Sequence, residues 1–182
     1  MSQKDYNTKI VEALLKKQNH IRGLAKDLNT NQTTISRKLH DLHEKNIVDF
    51  SFEGKNKVFF LKNTLEAKEY AFMAEKHKML DAINTYPRLR RIIETIKDNK
   101  NITLAIIFGS YAKGSAKKDS DIDLYIETED RKLKDAVAGI DSRLSIKIGI
   151  YDKRSILIKE IEKNHIIIKG IDEFYEKSGF FG

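Results

Sequence analysis

The sequence predicts an α+β protein in two parts: an N-terminal domain of three short helices and a hairpin, and a C-terminal domain on a small mixed sheet, with a connecting helix between them. Three observations predict it. Residues 1–63 hold three short segments of helically spaced apolar residues, followed by two alternating segments around a glycine turn. Residues 64–85 carry one long helical pattern. From residue 86 to 182, helical and strand-like segments alternate.

Composition bounds the function. Hydrophobic residues make up 40% and charged residues 34%, enough apolar material for packed cores. No apolar stretch approaches the roughly 18 residues needed to cross a bilayer, so no membrane role is expected. The opening MSQKDYNTK has no apolar signal core. With no cysteine there are no disulfides and no thiolate metal sites, which fits a cytoplasmic protein. The net charge is +7, and residues 1–63 carry twelve Lys/Arg against seven Asp/Glu while the remainder is nearly balanced. A basic domain ahead of a neutral one points to an acidic polymer as partner.

In chain order, Ile10, Val11, Leu14 and Leu15 predict an amphipathic helix over Lys4–Lys17, broken at Asn19-His20. Ile21, Leu24, Ala25 and Leu28 predict a second over Ile21–Leu28. After the polar turn Asn29-Thr30-Asn31, Thr33 is the expected cap of a third helix whose buried stripe is Ile35, Leu39 and Leu42. Strands are expected over Ile47–Phe52 and Lys57–Lys62, joined by the turn Glu53-Gly54-Lys55-Asn56. The segment AKDLNTNQTTISRKLHDLHEKNIV and the hairpin after it resemble a winged helix-turn-helix. That resemblance implies double-stranded DNA as partner. Gln32, Thr33, Thr34, Ser36, Arg37 and Lys38 of the third helix would face a major groove, and Lys55 and Lys57 of the wing would reach phosphates. A dimerisation or protein-binding module is the alternative.

A helix over Leu65–Asn84 carries Leu65, Ala67, Tyr70, Ala71, Phe72, Met73, Met79, Leu80 and Ile83, apolar on more than one face. It is a connector or the seam of a homodimer. Pro87 near a helix start is tolerated, and Leu89, Ile92, Ile93 and Ile96 predict a helix over Arg88–Asp98.

The chemistry concentrates in LAIIFGSYAKGSAKKDSDIDLYI, Leu104–Ile126. An apolar run stops at Gly109-Ser110, and a second opens at Asp121-Ile122-Asp123. Residues two apart on a strand share a face, so Asp121 and Asp123 make a carboxylate pair that a divalent cation would relieve. Magnesium suits such a pair, since it binds through one or two carboxylates plus substrate phosphates. Gly109 frees the backbone, and Ser110 with the start of a short helix offers donors to phosphate. Phosphates at one end and metal-binding acids at the other describe nucleotidyl or phosphoryl transfer.

Gly109-Ser110-x10-Asp121-x-Asp123, with Gly114 and Ser120 between, is similar to the signature of the minimal nucleotidyltransferases of the DNA polymerase beta superfamily. The resemblance covers about Tyr86–Glu176, and the tail IKEIEKNHIIIKGIDEFYEK is similar to that family's closing helix, strand and helix. It implies an NTP and Mg2+ as ligands, Asp121 and Asp123 as catalytic and metal-binding residues, and Gly109, Ser110 and Ser120 around the nucleotide. It also implies a third acid on a neighbouring strand. On the expected strand Leu144–Tyr151 that position falls to Lys147, with Asp141 and Asp152 outside the pattern. Lys147 would contact the triphosphate, clamp the two aspartates in place of a metal, or extend into solvent. The implied function is a DNA-binding regulator that binds NTP–Mg and transfers NMP to a protein or antibiotic hydroxyl. The alternatives are a non-catalytic regulator and an antitoxin-like protein with a toxin as partner. His20, His40, His43, His77 and His165 show no metal-ligand spacing and read as structural or surface residues.

Overall fold

The computed structural model describes residues 6–182 and divides into two compact units, residues 1–77 and 78–182. In the first, α1 (Tyr6–Lys16), α2 (Ile21–Asp27) and α3 (Gln32–Glu44) pack around a core of Ile10, Val11, Leu14, Leu24, Ile35, Leu39 and Leu42, each no more than 3% exposed. These are the residues that recur at helical spacing, so their burial is what turns propensity into helix. The expected start of the first helix at Lys4 lies outside the described residues.

A hairpin closes this unit, with β2 (Val48–Glu53) and β3 (Asn56–Leu61) antiparallel and in the register Phe50↔Phe59 and Phe52↔Lys57. The expected break at Asn19-His20 is instead a two-residue strand, β1, that pairs with β3 through Asn19↔Phe59 and His20↔Val58. Three helices, β1 between the first two, and a closing hairpin in the sheet order β1-β3-β2 make the winged helix-turn-helix arrangement. The third-helix cap also differs from expectation. Asn31, not Thr33, is the N-cap, and its side chain accepts from the Thr34 N–H at 2.7 Å. Either residue type can cap; Asn31 sits three residues before a free N–H, which leaves Thr33 in the first turn.

The helix α4 (Leu65–Thr85) spans the division between the units, with Ala67, Ala71 and Ala74 buried in the first and Met79 and Ala82 in the second. In the second unit α5 (Leu89–Asp98) buries Leu89, Ile92, Ile93 and Ile96. The sheet contains β4 (Ala105–Ile107), β5 (Ile122–Glu127), β6 (Leu144–Gly149) and β7 (Ile166–Lys169), in the order β6-β5-β4-β7. Both β5 and β7 run antiparallel to β4, while β6 is parallel to β5 and is reached through α7 (Arg131–Ala138), which Asp130 caps. A parallel neighbour needs such a crossover. The expected strand through Tyr151 stops at Gly149, where the Tyr125 hydroxyl donates to the Gly149 carbonyl at 2.9 Å; Ile150 beyond it is exposed.

The core between sheet and helices holds Ile107, Ile122, Leu124, Ile126, Ile146, Ile166 and Ile168. The chain ends with α8 (Ile156–Lys163), β7 and α9 (Ile171–Ser178). Gly170 starts α9 at φ +78°, where an added Cβ would lie 2.4 Å from the Thr103 carbonyl oxygen. Only glycine satisfies both constraints. Among the described residues, no helix is long and apolar enough to cross a membrane.

Candidate active site and nucleic-acid face

In the second unit β4 is fully buried, and its chain emerges at Phe108 and turns at Gly109 into the short helix α6 (Gly109–Ala112). The Phe108 N–H donates to the Asp123 carbonyl at 3.0 Å, tying the end of β4 to the start of β5. Gly109 adopts φ +67°, and a Cβ there would sit 2.3 Å from Asp123 Oδ2. The glycine therefore serves two purposes: it permits the left-handed turn, and it lets a carboxylate lie against the backbone. Gly109 and Asp123, fourteen residues apart in sequence, meet here.

Asp121, just before β5, is exposed, and Asp123, on β5, is half-buried. Burial raises the Asp123 carboxyl above the ordinary carboxylate range. Ser145, placed to donate to it, pulls it back, the charge of Asp121 pushes it up again, Lys147 lowers it and Glu160 raises it. The parallel register explains the neighbours: Asp123 lies opposite Ser145, and Lys147 lies opposite Tyr125, one same-face step further on. Lys147 is exposed, and no ion pair joins it to Asp121 or Asp123 among the described residues. Ser145 and Glu160 were not singled out in sequence, since the pairing of β6 and the approach of α8 bring them in.

Other acids of the second unit are engaged. Asp141 receives two hydrogen bonds from Arg88, at 2.8 and 2.7 Å, and one from the Arg143 N–H; the guanidinium holds its carboxyl below the usual range. Asp152 pairs with Arg154 at 3.1 Å. Glu127 bonds the Tyr151 N–H and Lys177. Glu160 pairs with Lys113, just past α6, at 3.2 Å. Ser120 has a local duty, accepting from the Lys117 N–H at 2.8 Å and so closing the loop before Asp121. His165 precedes β7, its Nδ1 2.9 Å from the Ile161 carbonyl and its ring on Phe174.

Asp121 and Asp123 offer hard oxygen donors, and no group of three or more His, Asp or Glu that could hold a metal occurs among the described residues. Such a set suits a cation that completes its shell with water and phosphate oxygens.

In the first unit α3 presents Gln32, Thr33, Ser36 and Arg37 as exposed side chains, while Thr34 and Lys38 are half-buried. With Ile21 and His40, four of these residues (Gln32, Thr33, Ser36 and Arg37) line an open concavity of about 510 Å³. Lys55 and Lys57 are exposed on the wing, and Lys57 Nζ lies 3.9 Å above the Phe50 ring.

Residues 90–174 match the family model described as Polymerase beta, Nucleotidyltransferase. A Methanocaldococcus jannaschii protein, provisionally named protein adenylyltransferase MJ1215, is 36% identical over 72 residues, which are 37% of this chain and 84% of that protein. Among solved structures, the transcriptional repressor BigR of Xylella fastidiosa is similar at 21% identity and TM-score 0.35 over 37% of this chain. The adhesin competence repressor AdcR of Streptococcus pyogenes is similar at 22% identity and TM-score 0.41 over 48%. The chain spans 66% of the length of each repressor, just under two thirds. With the Gly109–Asp123 junction inside the matched residues, and the archaeal relative matched along most of its own length, this chain belongs to the polymerase beta nucleotidyltransferase family.

Proposed function

We propose that the protein is a DNA-binding regulator whose second unit binds an NTP with magnesium and transfers NMP to a hydroxyl acceptor. The observation that carries the catalytic half is the approach of Gly109 to Asp123, where a Cβ would stand 2.3 Å from the carboxylate oxygen. It joins a phosphate-binding turn to a carboxylate pair, the two parts that nucleotidyl transfer needs.

In this reading Asp121 and Asp123 hold the cation. Magnesium, when bound, neutralises charge on the α-phosphate and the leaving pyrophosphate. Ser110 and the amides after Gly109 hold the β and γ phosphates, Ser120 keeps its loop closed beside them, and Lys147 reaches the triphosphate from β6. The acceptor oxygen bonds to the α-phosphorus, the bond to the bridging oxygen breaks, pyrophosphate leaves, and the hydroxyl proton passes to solvent. The name of the Methanocaldococcus jannaschii relative favours AMP as the transferred group and a protein as the acceptor. In the first unit, Gln32, Thr33, Thr34, Ser36, Arg37 and Lys38 would face the major groove, with Lys55 and Lys57 on phosphates. Both ligands are cytoplasmic, and so is the proposed activity.

A second reading is favoured by the strand next to β5. Ser145 stands opposite Asp123, Lys147 follows, and Asp141 and Asp152 are engaged by arginines. With no third acid from β6, the second unit would bind NTP without transferring it.

Incubation with ATP labelled at the α-phosphate, magnesium and extract proteins separates the two. Label on protein with the wild type and none with Asp123→Ala is the expected result. Saturable ATP binding without label supports the second reading, and neither binding nor label ends both.

A further inference from the structure

We propose that Phe52, at the tip of the wing, is a DNA contact of its own kind: an aromatic wedge that packs on the deoxyribose walls of a minor groove. The inference rests on the reading of the first unit as a duplex-DNA binder.

A lone exposed phenylalanine carries no message. This one is 66% exposed and continues a stack that begins on α3. The His43 ring lies 5.9 Å from Phe50, and Phe50 meets Phe52 edge-on at 5.7 Å. Phe59, opposite Phe50 in the register, adds a third support at 5.7 Å. Lys57, paired directly with Phe52, lays its ammonium 3.9 Å above Phe50 and 5.8 Å from Phe52. The ring is thus held from beneath and beside, with its outer surface open.

The surroundings choose the partner. Ser51, Phe52, Lys55, Asn56 and Lys57 are all exposed at this end of the hairpin. Glu53, the acid among them, accepts a hydrogen bond from Gln18 at 3.0 Å. Cations and an amide around an apolar ring form the set that minor-groove proteins use, the polar groups reading the groove and the ring wedging at its wall. A second copy of this chain meeting the same patch would set Lys55 and Lys57 against like charges; phosphates supply the counter-charge.

Apolar and ionic contacts answer salt differently, and this provides the test. Binding of the full chain to a fluorescein-labelled duplex from the region upstream of its own gene is measured against salt for the wild type, Phe52→Ala, Phe52→Leu and Lys57→Ala. Burial of one aromatic ring predicts about a tenfold or larger loss of affinity in Phe52→Ala. The slope of log K against log salt should be unchanged in that variant, with most of the affinity retained in Phe52→Leu. Lys57→Ala should lower the slope by about 0.9. Phe52→Ala should still unfold in one cooperative transition, slightly below the wild type because the edge-on contact with Phe50 is lost. Wild-type affinity in Phe52→Ala, or a change in its sedimenting mass instead of its affinity, overturns this inference and leaves DNA binding standing. A wild type that binds no duplex overturns both.

Discussion

Replacing Gly109 with alanine perturbs the candidate active site by one methyl group, and the structure separates its two consequences. The first is backbone strain: a left-handed residue with a Cβ costs about 1–2 kcal/mol, here at φ +67°. The second is collision, with the new Cβ 2.3 Å from Asp123 Oδ2, 3.2 Å from Cγ and 3.4 Å from Cβ. Only the carboxyl end is too close, so a turn of the Asp123 side chain relieves the clash and the sheet stays in place. The stability cost should then be the backbone part alone. For a unit of about 100 residues, at about 4–8 °C per kcal/mol, that is a fall in Tm of about 4–16 °C. Metal and nucleotide binding should be lost, because the carboxylate has swung off its position. Scanning calorimetry and Mn2+ titration are run on Gly109→Ala with Asp123 present and with Asp123→Ala. Equal Tm losses in both backgrounds, and loss of Mn2+ binding in either single variant, are expected. Gly109→Ala with wild-type Tm and Mn2+ affinity would show that neither the strain nor the collision exists. A loss well beyond 2 kcal/mol that disappears with Asp123→Ala would show the backbone yielding instead.

Other predictions follow from individual contacts. Asp123 has its pKa raised in the fold, so ionisation costs stability: the penalty is absent below the unfolded value, grows as pH rises, and is full above the folded value. Asp123→Asn should therefore raise Tm at pH 7, with no gain near pH 3, while abolishing metal binding; a fall in Tm at pH 7 counts against a desolvated carboxylate. Asp141 is held low by Arg88, so its contribution is present above the ordinary carboxylate pKa and lost as pH falls through the folded one. Asp141→Ala should cost about 1–3 kcal/mol in urea unfolding at pH 7, and progressively less as pH falls below the ordinary carboxylate range. Removing the α3 cap with Asn31→Ala should cost about 1 kcal/mol, where Thr33→Ala should cost little. Arg37→Ala should weaken duplex binding and reduce its salt slope, read by fluorescence anisotropy.

Much of this fold is written locally. Ile35, Leu39 and Leu42 recur at helical spacing and are buried in α3, and the Gly54 turn separates two segments that pair as a hairpin. The Gly109–Asp123 motif is legible for the same reason, since its parts are close in the chain and one loop brings them together. What the sequence does not carry is pairing across distance. β1 is two residues long, and Asn19-His20 becomes strand only because β3 lies alongside. Alternation along β6 puts Ser145 and Lys147 on one face, but the parallel register alone decides that Ser145 stands opposite Asp123. Glu160 reaches the same carboxylate's field from α8, thirty-seven residues on, through packing that no local pattern encodes. The α3 cap was a contest between two residues of the right type, settled by which oxygen stands three residues before a free N–H.

The central claim is that Asp121 and Asp123 hold a divalent cation against a triphosphate seated at the Gly109-Ser110 turn. Electron paramagnetic resonance of Mn2+, with a non-hydrolysable ATP analogue, measures it directly in the wild type and in Asp123→Ala. One Mn2+ bound per wild-type chain, more tightly with the analogue, and none bound in the variant is the expected result. Equal Mn2+ binding in both proteins, or none in either, would contradict it.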